Sequence, residues 1–272
     1  MTSEALEVAI RRCVDVLSME PAGLFTDFDG TISPIALTPD LGQLHPRVRR
    51  PLTALVDQLE IVAIVTGRGA EDARQRVDVP GVRLIGNHGL EVVDGDVVRA
   101  NPFAVAQSNV IAAAVSEIRS EMSSYSWADL LIFENKGVSA SIHYRRVPDP
   151  ESVRERLLTL GTPVVSKSGL RLTEGRLVIE LRPAIDVNKG SVVHDVILEG
   201  QLKGAVMLGD DVTDVDAFRA IAALRNDGLT GISVGINGPE TAVEVREAAD
   251  FLINGVEECA DLLEVVAREL SA

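Results

Sequence analysis

Short apolar runs along the chain end in Gly- or Asp-rich turns, and amphipathic segments separate them. Residues 23–26, 61–65, 205–208 and 232–234 read as buried strands. Between them Val48, Leu52, Leu55, Val56 and Leu59 recur at helical spacing, as do Val256, Ala260, Leu263, Ala267 and Leu270 near the C-terminus. Strand and helix in alternation predict an α/β fold, a Rossmann-like parallel sheet covered on both faces. Pro51 falls inside the first helical pattern and predicts a late start or a kink there.

The middle of the chain has a different pattern. A hairpin is expected around Asp94-Gly95 and a helix from about Phe103. Strands follow at 130–134 and 138–144, then a helix near 149–160. Three short strands, at 163–167, 170–173 and 177–181, complete the stretch, with Gly at the turns. This block reads as an α+β insert. Charge marks the same change: residues 103–182 carry ten Lys/Arg against nine Asp/Glu, whereas the whole chain has a formal charge of −15. The expected organisation is a discontinuous α/β core, 1–102 with 184–272, interrupted by a near-neutral domain at 103–183.

Composition narrows the partners. With 272 residues, 46% apolar and 25% charged, the chain is too apolar for disorder and long enough for a large domain plus a smaller one. The acidic balance argues against nucleic acid or an anionic membrane as partner. Cys13 and Cys259 are the only cysteines, which leaves no disulfide framework and no Cys-rich zinc site. Glu4 and Glu7 stand where a leader would be basic, so no signal peptide is expected. The longest uncharged stretch, 101–116, is too short and too polar to span a bilayer. A cytoplasmic monomer acting on a small molecule is expected.

Chemistry concentrates at the strand ends. The first strand runs into Asp27-Phe28-Asp29-Gly30-Thr31, beyond the carboxyl end of a strand, where ligands bind in open parallel sheets. Two carboxylates separated by one residue can share a cavity: one can attack phosphorus, and the other can give and take a proton. A polar turn is the plainer reading of this segment alone. Gly209-Asp210-Asp211-Val212-Thr213-Asp214 follows a second buried strand, and clustered carboxylates need a cation or protons to sit together. With no His or Cys cluster nearby, hard oxygen ligands favour Mg²⁺. Asp211 and Asp216 can equally be helix caps. Thr66-Gly67-Arg68 opens a helical segment after the 61–65 strand, where a hydroxyl and free N–H groups can hold phosphate oxygens, though Thr-Gly is also a common turn. Lys189 begins another helix, where an ammonium can meet phosphate or simply face solvent. No single element carries the reading; the four in this order do.

The constellation resembles the haloacid dehalogenase superfamily of phosphotransferases. Asp27–Thr31 is similar to its first motif, Thr66 to the second, Lys189 to the third, and Gly209-Asp210 with Asp214 to the fourth. The resemblance implies Asp27 as nucleophile and Asp29 as acid/base, with Thr66 and Lys189 stabilising charge. Mg²⁺ would lie on Asp27, the Asp29 carbonyl and Asp210, with Asp214 supporting the metal site. It also implies a large α/β cap between the second and third motifs.

A finer resemblance, over most of the chain, is to the trehalose-6-phosphate phosphatase family. It rests on residues 27–35, on Gly86-Asn87-His88-Gly89-Leu90-Glu91, and on the stretch 170–190. In the insert it rests on Glu134-Asn135-Lys136, His143-Tyr144-Arg145 and Glu180. It implies a phosphorylated disaccharide as substrate, contacted by Glu134, Lys136, Arg145 and Glu180. Glu134 and Lys136 would share one strand face, with Arg145 on a neighbouring strand; a cross-strand salt bridge is the competing reading. Asn87 and His88 are substrate-site candidates, and His88 can equally hold a loop. Of His143 and Tyr144, one is expected in the core and one at the cleft. Tyr125 and Trp127 are expected to pack the insert. The family usually has an acid where Val215 stands, so a phosphatase for sucrose phosphate or mannosyl-3-phosphoglycerate is the nearest alternative. A sugar-phosphate sensor and a phosphomutase lie further off.

Overall fold

A computed structural model describes residues 4–271. The chain divides into two compact units, Met1–Ile35 with Gly42–Val98 and Val187–Ala272, and Ala36–Leu41 with Arg99–Asp186.

In the first unit the order along the chain starts with α1 (Glu4–Leu17), β1 (Ala22–Thr26), α2 (Arg49–Val56), β2 (Ile61–Val65), α3 (Ala70–Val77) and β3 (Arg83–Gly86). The hairpin strands β4 (Glu91–Asp94) and β5 (Val97–Ala100) follow, as the Asp94-Gly95 turn predicts. These strands join three partners from the C-terminal half in one eight-stranded sheet. Its order is β12-β11-β10-β1-β2-β3-β4-β5, where β10 is Gly204–Gly209, β11 is Thr230–Asn237 and β12 is Phe251–Asn254. From β12 to β3 all pairings are parallel, and β4 turns antiparallel on β3.

Alternation along each strand sends neighbours to opposite faces. Leu24, Val62, Ile64, Val206 and Leu208 meet α1, α2, α3 and the C-terminal helix on one side. Phe25, Ala63, Val65, Ala205 and Met207 meet the helices at 189–199, 215–224 and 243–248 on the other. Both faces are therefore buried, which is why these strands read as continuous apolar runs. Pro51 causes no kink. The helix opens at Arg49, so Pro51 lies in its first turn, where a backbone N–H has no intrahelical partner in any case.

The second unit is an antiparallel four-stranded sheet backed by helices. The helices are α4 (Pro102–Ala106), capped by the Asn101 side chain, α5 (Ser108–Met122) and α6 (Pro150–Ser168). The strands β6 (Ile132–Asn135), β7 (Ala140–His143), β8 (Leu170–Gly175) and β9 (Val178–Pro183) lie in the order β6-β7-β9-β8. One expectation fails here. The segment 163–167 is not a strand, because α6 continues through Pro163 to Ser168. Val153, Leu157, Gly161, Val164 and Val165 are buried along one side of that helix. Packing of that stripe outweighs the β preference of the two valines and the hydrogen bond that Pro163 cannot donate. Tyr125 and Trp127 stack on each other, ring centroids 4.8 Å apart, and pack on this unit's core.

After the insert come α7 (Lys189–Glu199), α8 (Val215–Leu224), α9 (Val243–Ala248) and α10 (Gly255–Leu270). No helix among the described residues is long and apolar enough to cross a membrane. Cys13 and Cys259 are buried core residues of α1 and α10.

Candidate active site

Strand order reverses at β1, with β2 on one side and β10 on the other, and the crevice at that point is where open α/β sheets bind ligands. The carboxyl ends of β1, β2 and β10 deliver Asp27, Thr66 and Asp210 there. The Asp27 N–H still donates to the Leu208 carbonyl at 2.9 Å, so the ladder itself fixes where Asp27 leaves the strand. Lys189 arrives from the first turn of α7, which the Asn188 side chain caps by accepting the Ser191 N–H at 2.8 Å.

Lys189 Nζ donates to Asp27 Oδ1 and to Asp214 Oδ1, 2.7 Å in each case, and all three side chains are buried. Asp214 Oδ2 accepts the backbone N–H groups of Asp210 and Asp211, both at 3.0 Å. Asp214 therefore organises the turn after β10 with both of its oxygens engaged. Thr31, absent from the sequence-based candidates, donates its hydroxyl to Asp210 Oδ1 at 3.0 Å. Gly30 has a φ of 85°, and a Cβ there would lie 2.1 Å from Asp210 Oδ2, so the turn admits the carboxylate only because residue 30 is glycine. Val215 is a buried core residue at the start of α8.

Ligand atoms of Asp27, Asp210 and Asp214 lie within 4.8 Å of one another, all buried. Three carboxylates against the single Lys189 ammonium leave an excess of negative charge in a low-dielectric place. Burial pushes the Asp27 carboxyl well above its ordinary range; Asp214 and Asp29 add to the rise, and the Lys189 ammonium opposes it. Burial works against the Lys189 charge, but Asp214 and Asp27 outweigh it and hold the ammonium above its ordinary pKa. An all-oxygen donor set with uncompensated negative charge fits a hard divalent cation.

Thr66 is buried, and its Oγ1 accepts the Arg68 N–H at 3.2 Å, which leaves the hydroxyl proton to point elsewhere. Gly67 is covered by the His88 ring. The segment Asn87–Gly89 lies on this turn. Asn87 donates its N–H to the Arg68 carbonyl at 2.7 Å and His88 to the Thr66 carbonyl at 2.9 Å, both residues being left-handed, at φ 49° and 55°. Glu91 Oε2 accepts from the Asn87 side chain at 2.7 Å and from the Ala70 N–H at 2.8 Å, at the start of α3. Arg68 turns its guanidinium onto Asp29 and Asp72.

In the second unit Glu134, Ser141, Glu180 and Thr173 form one cross-strand row over β6, β7, β9 and β8. Lys136 Nζ and the Ser141 hydroxyl both donate to Glu180 Oε1 at 3.0 Å, and His143 Nε2 lies 3.0 Å from Glu134 Oε2. Arg171 and Arg182 are register partners two residues further along the same face. The other face carries Ile142, Ile179 and Leu181 into the core, with Tyr144 buried there as well. His143 and Tyr144 thus part as the alternation predicts. Arg145 differs from expectation: it lies in the turn after β7, not on a strand, and donates to the Arg176 carbonyl at 3.4 Å. Ser141, Thr173, Arg171 and Arg182 were not singled out from the sequence, because only the pairing order of the strands brings Ser141 and Thr173 opposite Glu180 and Arg171 opposite Arg182.

The profile of the trehalose-phosphatase family matches residues 25–246. The chain belongs to the trehalose-phosphatase family. It is 32% identical over 270 residues to the trehalose-phosphate phosphatase of Mycobacterium leprae, an alignment covering 94% of this chain and 60% of that protein. It is 31% identical to the one of Mycobacterium avium, covering 94% and 64%. The chain thus spans about three fifths of the length of these curated relatives. Among solved structures, the C-terminal domain of the C. albicans trehalose-6-phosphate phosphatase superposes with a TM-score of 0.79 at 20% identity, covering 97% of this chain and 96% of that one. A trehalose-6-phosphate phosphatase related protein gives 0.72 at 23%, covering 91% and 97%. At these identities the structures speak to the fold, a haloacid dehalogenase-like α/β architecture.

Proposed function

We propose that this chain is a phosphomonoesterase that hydrolyses trehalose 6-phosphate to trehalose and phosphate. The observation that carries the reading is the buried Asp27–Lys189–Asp214 chain beside Asp210, in a member of this family. Asp27 attacks phosphorus; the P–O bond to the sugar breaks, its electron pair leaves on the sugar oxygen, and Asp29 gives that oxygen a proton. Water then attacks the aspartyl phosphate and passes a proton to Asp29. The P–O bond to Asp27 breaks, restoring the carboxylate.

Lys189 keeps Asp27 oriented and charged, and the Thr66 hydroxyl is placed to donate to a phosphoryl oxygen. Asp27, the Asp29 carbonyl and Asp210 would hold Mg²⁺, with Asp214 fixing the turn behind them. Bound there, Mg²⁺ would neutralise phosphoryl charge and hold the group in line. Residues 103–183 act as a specificity cap in this reading. Glu134, Lys136, Glu180 and Arg145 are its sugar-reading groups, because a polyhydroxy ligand is recognised by fixed charged donors and acceptors.

The test is phosphate release with Mg²⁺ from equal concentrations of trehalose 6-phosphate, sucrose 6-phosphate, mannosyl-3-phosphoglycerate and glucose 6-phosphate. Strong preference for the first is expected. Preference for another would keep Asp27 and retire the sugar assignment. Silence on all four from folded protein would favour a sensor.

A further inference from the structure

Asp29 is not loose in its loop. Arg68 donates Nε to Asp29 Oδ2 at 2.7 Å and Nη2 to Asp29 Oδ1 at 2.8 Å, a two-bond fork on one carboxylate. Its third nitrogen, Nη1, donates to Asp72 Oδ2 at 2.8 Å. Asp72 is held in turn by Arg76 Nε at 2.9 and 2.8 Å, and Arg76 also donates to the Gly42 carbonyl. The loop closes on itself, because a Cβ on Gly42 would lie 2.2 Å from Arg68 Nη2 and 3.2 Å from Asp29 Oδ1. Arg68 further packs over the Phe28 ring at 5.3 Å. The Arg68 side chain is 9% exposed, while Asp29 is 38% exposed. The rigid, buried partner is therefore the arginine, and the carboxylate is the end that can move.

A guanidinium fork needs two acceptor oxygens, so it is complementary to Asp29 without a proton. In the two-step reaction proposed above, on which this inference rests, that is the form Asp29 must have when it takes a proton from water. We propose that Arg68 is a positioning residue that holds the Asp29 carboxylate ready for hydrolysis of the aspartyl phosphate, and does not itself bind the substrate phosphate. The Asp72–Arg76–Gly42 chain is the scaffold that keeps Arg68 in place. For the first step Asp29 has to release at least one oxygen from the fork, and its exposure allows this.

The experiment uses the full chain with Mg²⁺ and an aryl phosphate whose phenolate leaves without protonation. Arg68→Gln removes the fork, and Arg68→Lys keeps the charge without it. Both should form the phosphoenzyme at close to the wild-type rate and hydrolyse it at least about tenfold more slowly. The readouts are a stoichiometric phenolate burst and a mass increase of one phosphoryl group on Asp27 after acid quench. Inhibition by inorganic phosphate should stay within about threefold of wild type. Added guanidinium ion should partly restore turnover in the Gln variant only.

Weaker phosphate inhibition with unchanged kcat would overturn the proposal in favour of a substrate contact. So would a slow variant without a burst, since formation would then have slowed equally. Should the Arg68 variants fail to fold, Asp72→Asn removes the charged partner of Arg68 Nη1 without touching Asp29, and must give the same burst. The aryl reporter is independent of the sugar, so failure of the trehalose assignment leaves this test standing. A wild type that does not turn over the aryl phosphate would retire the two-step reaction and Arg68's role with it.

Discussion

Lys189 Nζ and Asp27 Oδ1 lie 2.7 Å apart although 162 positions separate them in the chain, and the Lys189 side chain is only 2% exposed. Neither charge is at home in such a place alone. Lysine is desolvated, and it stays charged because two carboxylates share it; Asp27 stays oriented because the ammonium takes one of its oxygens. Removing Lys189 leaves Asp27 and Asp214 buried without their counter-charge, whereas removing Asp27 leaves Lys189 its contact with Asp214.

Lys189→Met should therefore cost stability as well as rate. Breaking one side of a buried ion pair typically costs about 3–5 kcal/mol. Urea unfolding with chelator present should report a loss in that range, and phosphate release should fall by at least about a hundredfold. A loss below about 1 kcal/mol would mean that the ammonium is not needed to neutralise Asp27 and Asp214. Asp27→Asn leaves Lys189 its contact with Asp214, so it should abolish turnover with a smaller loss of stability than Lys189→Met.

Divalent metal should stabilise the folded chain independently of any substrate. A ligand at a hundred times its dissociation constant adds about 2.7 kcal/mol. Mg²⁺ should thus raise the melting temperature of wild type, and excess chelator should reverse the rise. Asp210→Asn should suppress the response, and Gly30→Ala should do so by crowding Asp210 Oδ2. An unchanged Mg²⁺ shift in both variants would place the cation elsewhere.

Glu180→Gln should separate recognition from chemistry. Glu180 Oε1 is shared by Lys136 and Ser141 in the second unit, remote in sequence from Asp27. Loss of its charge should reduce kcat/KM for the sugar phosphate by about a hundredfold, near 2.7 kcal/mol, with little effect on a small aryl phosphate. Equal losses on the two substrates would assign the cluster to folding of the insert. The isosteric amide is preferred to alanine because Lys136 is buried and would otherwise lose its partner outright.

The core strands were legible because both faces of the sheet are buried, so β2 and β10 appear as uninterrupted apolar runs, and β1 and β11 as apolar runs broken only by Thr26 at one end and by Ser233 within 232–236. The catalytic candidates were legible because parallel strands place their C-terminal turns together. Asp27, Thr66, Lys189, Asp210 and Asp214 each lie at a strand end or a helix start. What sequence spacing hides is register and side-chain direction. Thr31 on Asp210 depends on loop geometry, and although Arg68, Asp72 and Arg76 are spaced four apart in and just before α3, that Arg68 also turns onto Asp29 is a matter of side-chain direction. The row Glu134–Ser141–Glu180–Thr173 depends on a pairing order, β6-β7-β9-β8, that is not the chain order. Pro163 misled for a related reason: its missing N–H is a local cost, and the buried stripe of α6 that outweighs it is set by tertiary packing.

The two cysteines provide a test of the core that does not involve the active site. Both thiols are buried, and burial raises Cys13 from an ordinary value near 9 to about 12; burial raises Cys259 too, with Cys13 and Asp210 adding to it. The thiolate is the reactive form, so neither cysteine should react with a disulfide reagent at pH 8 until the chain unfolds, when both should. The sign for stability follows from the same shift. Between the unfolded and folded pKa values the unfolded chain has lost protons that the folded one keeps, so stability is full below about pH 9 and falls as pH rises. Urea unfolding at pH 8 and pH 10.5 should show a steeper loss for wild type than for a Cys13→Ala, Cys259→Ala variant. Parallel losses in the two proteins would show that the thiols ionise in the folded chain as readily as in the unfolded one, and that α1 and α10 do not seal them from water.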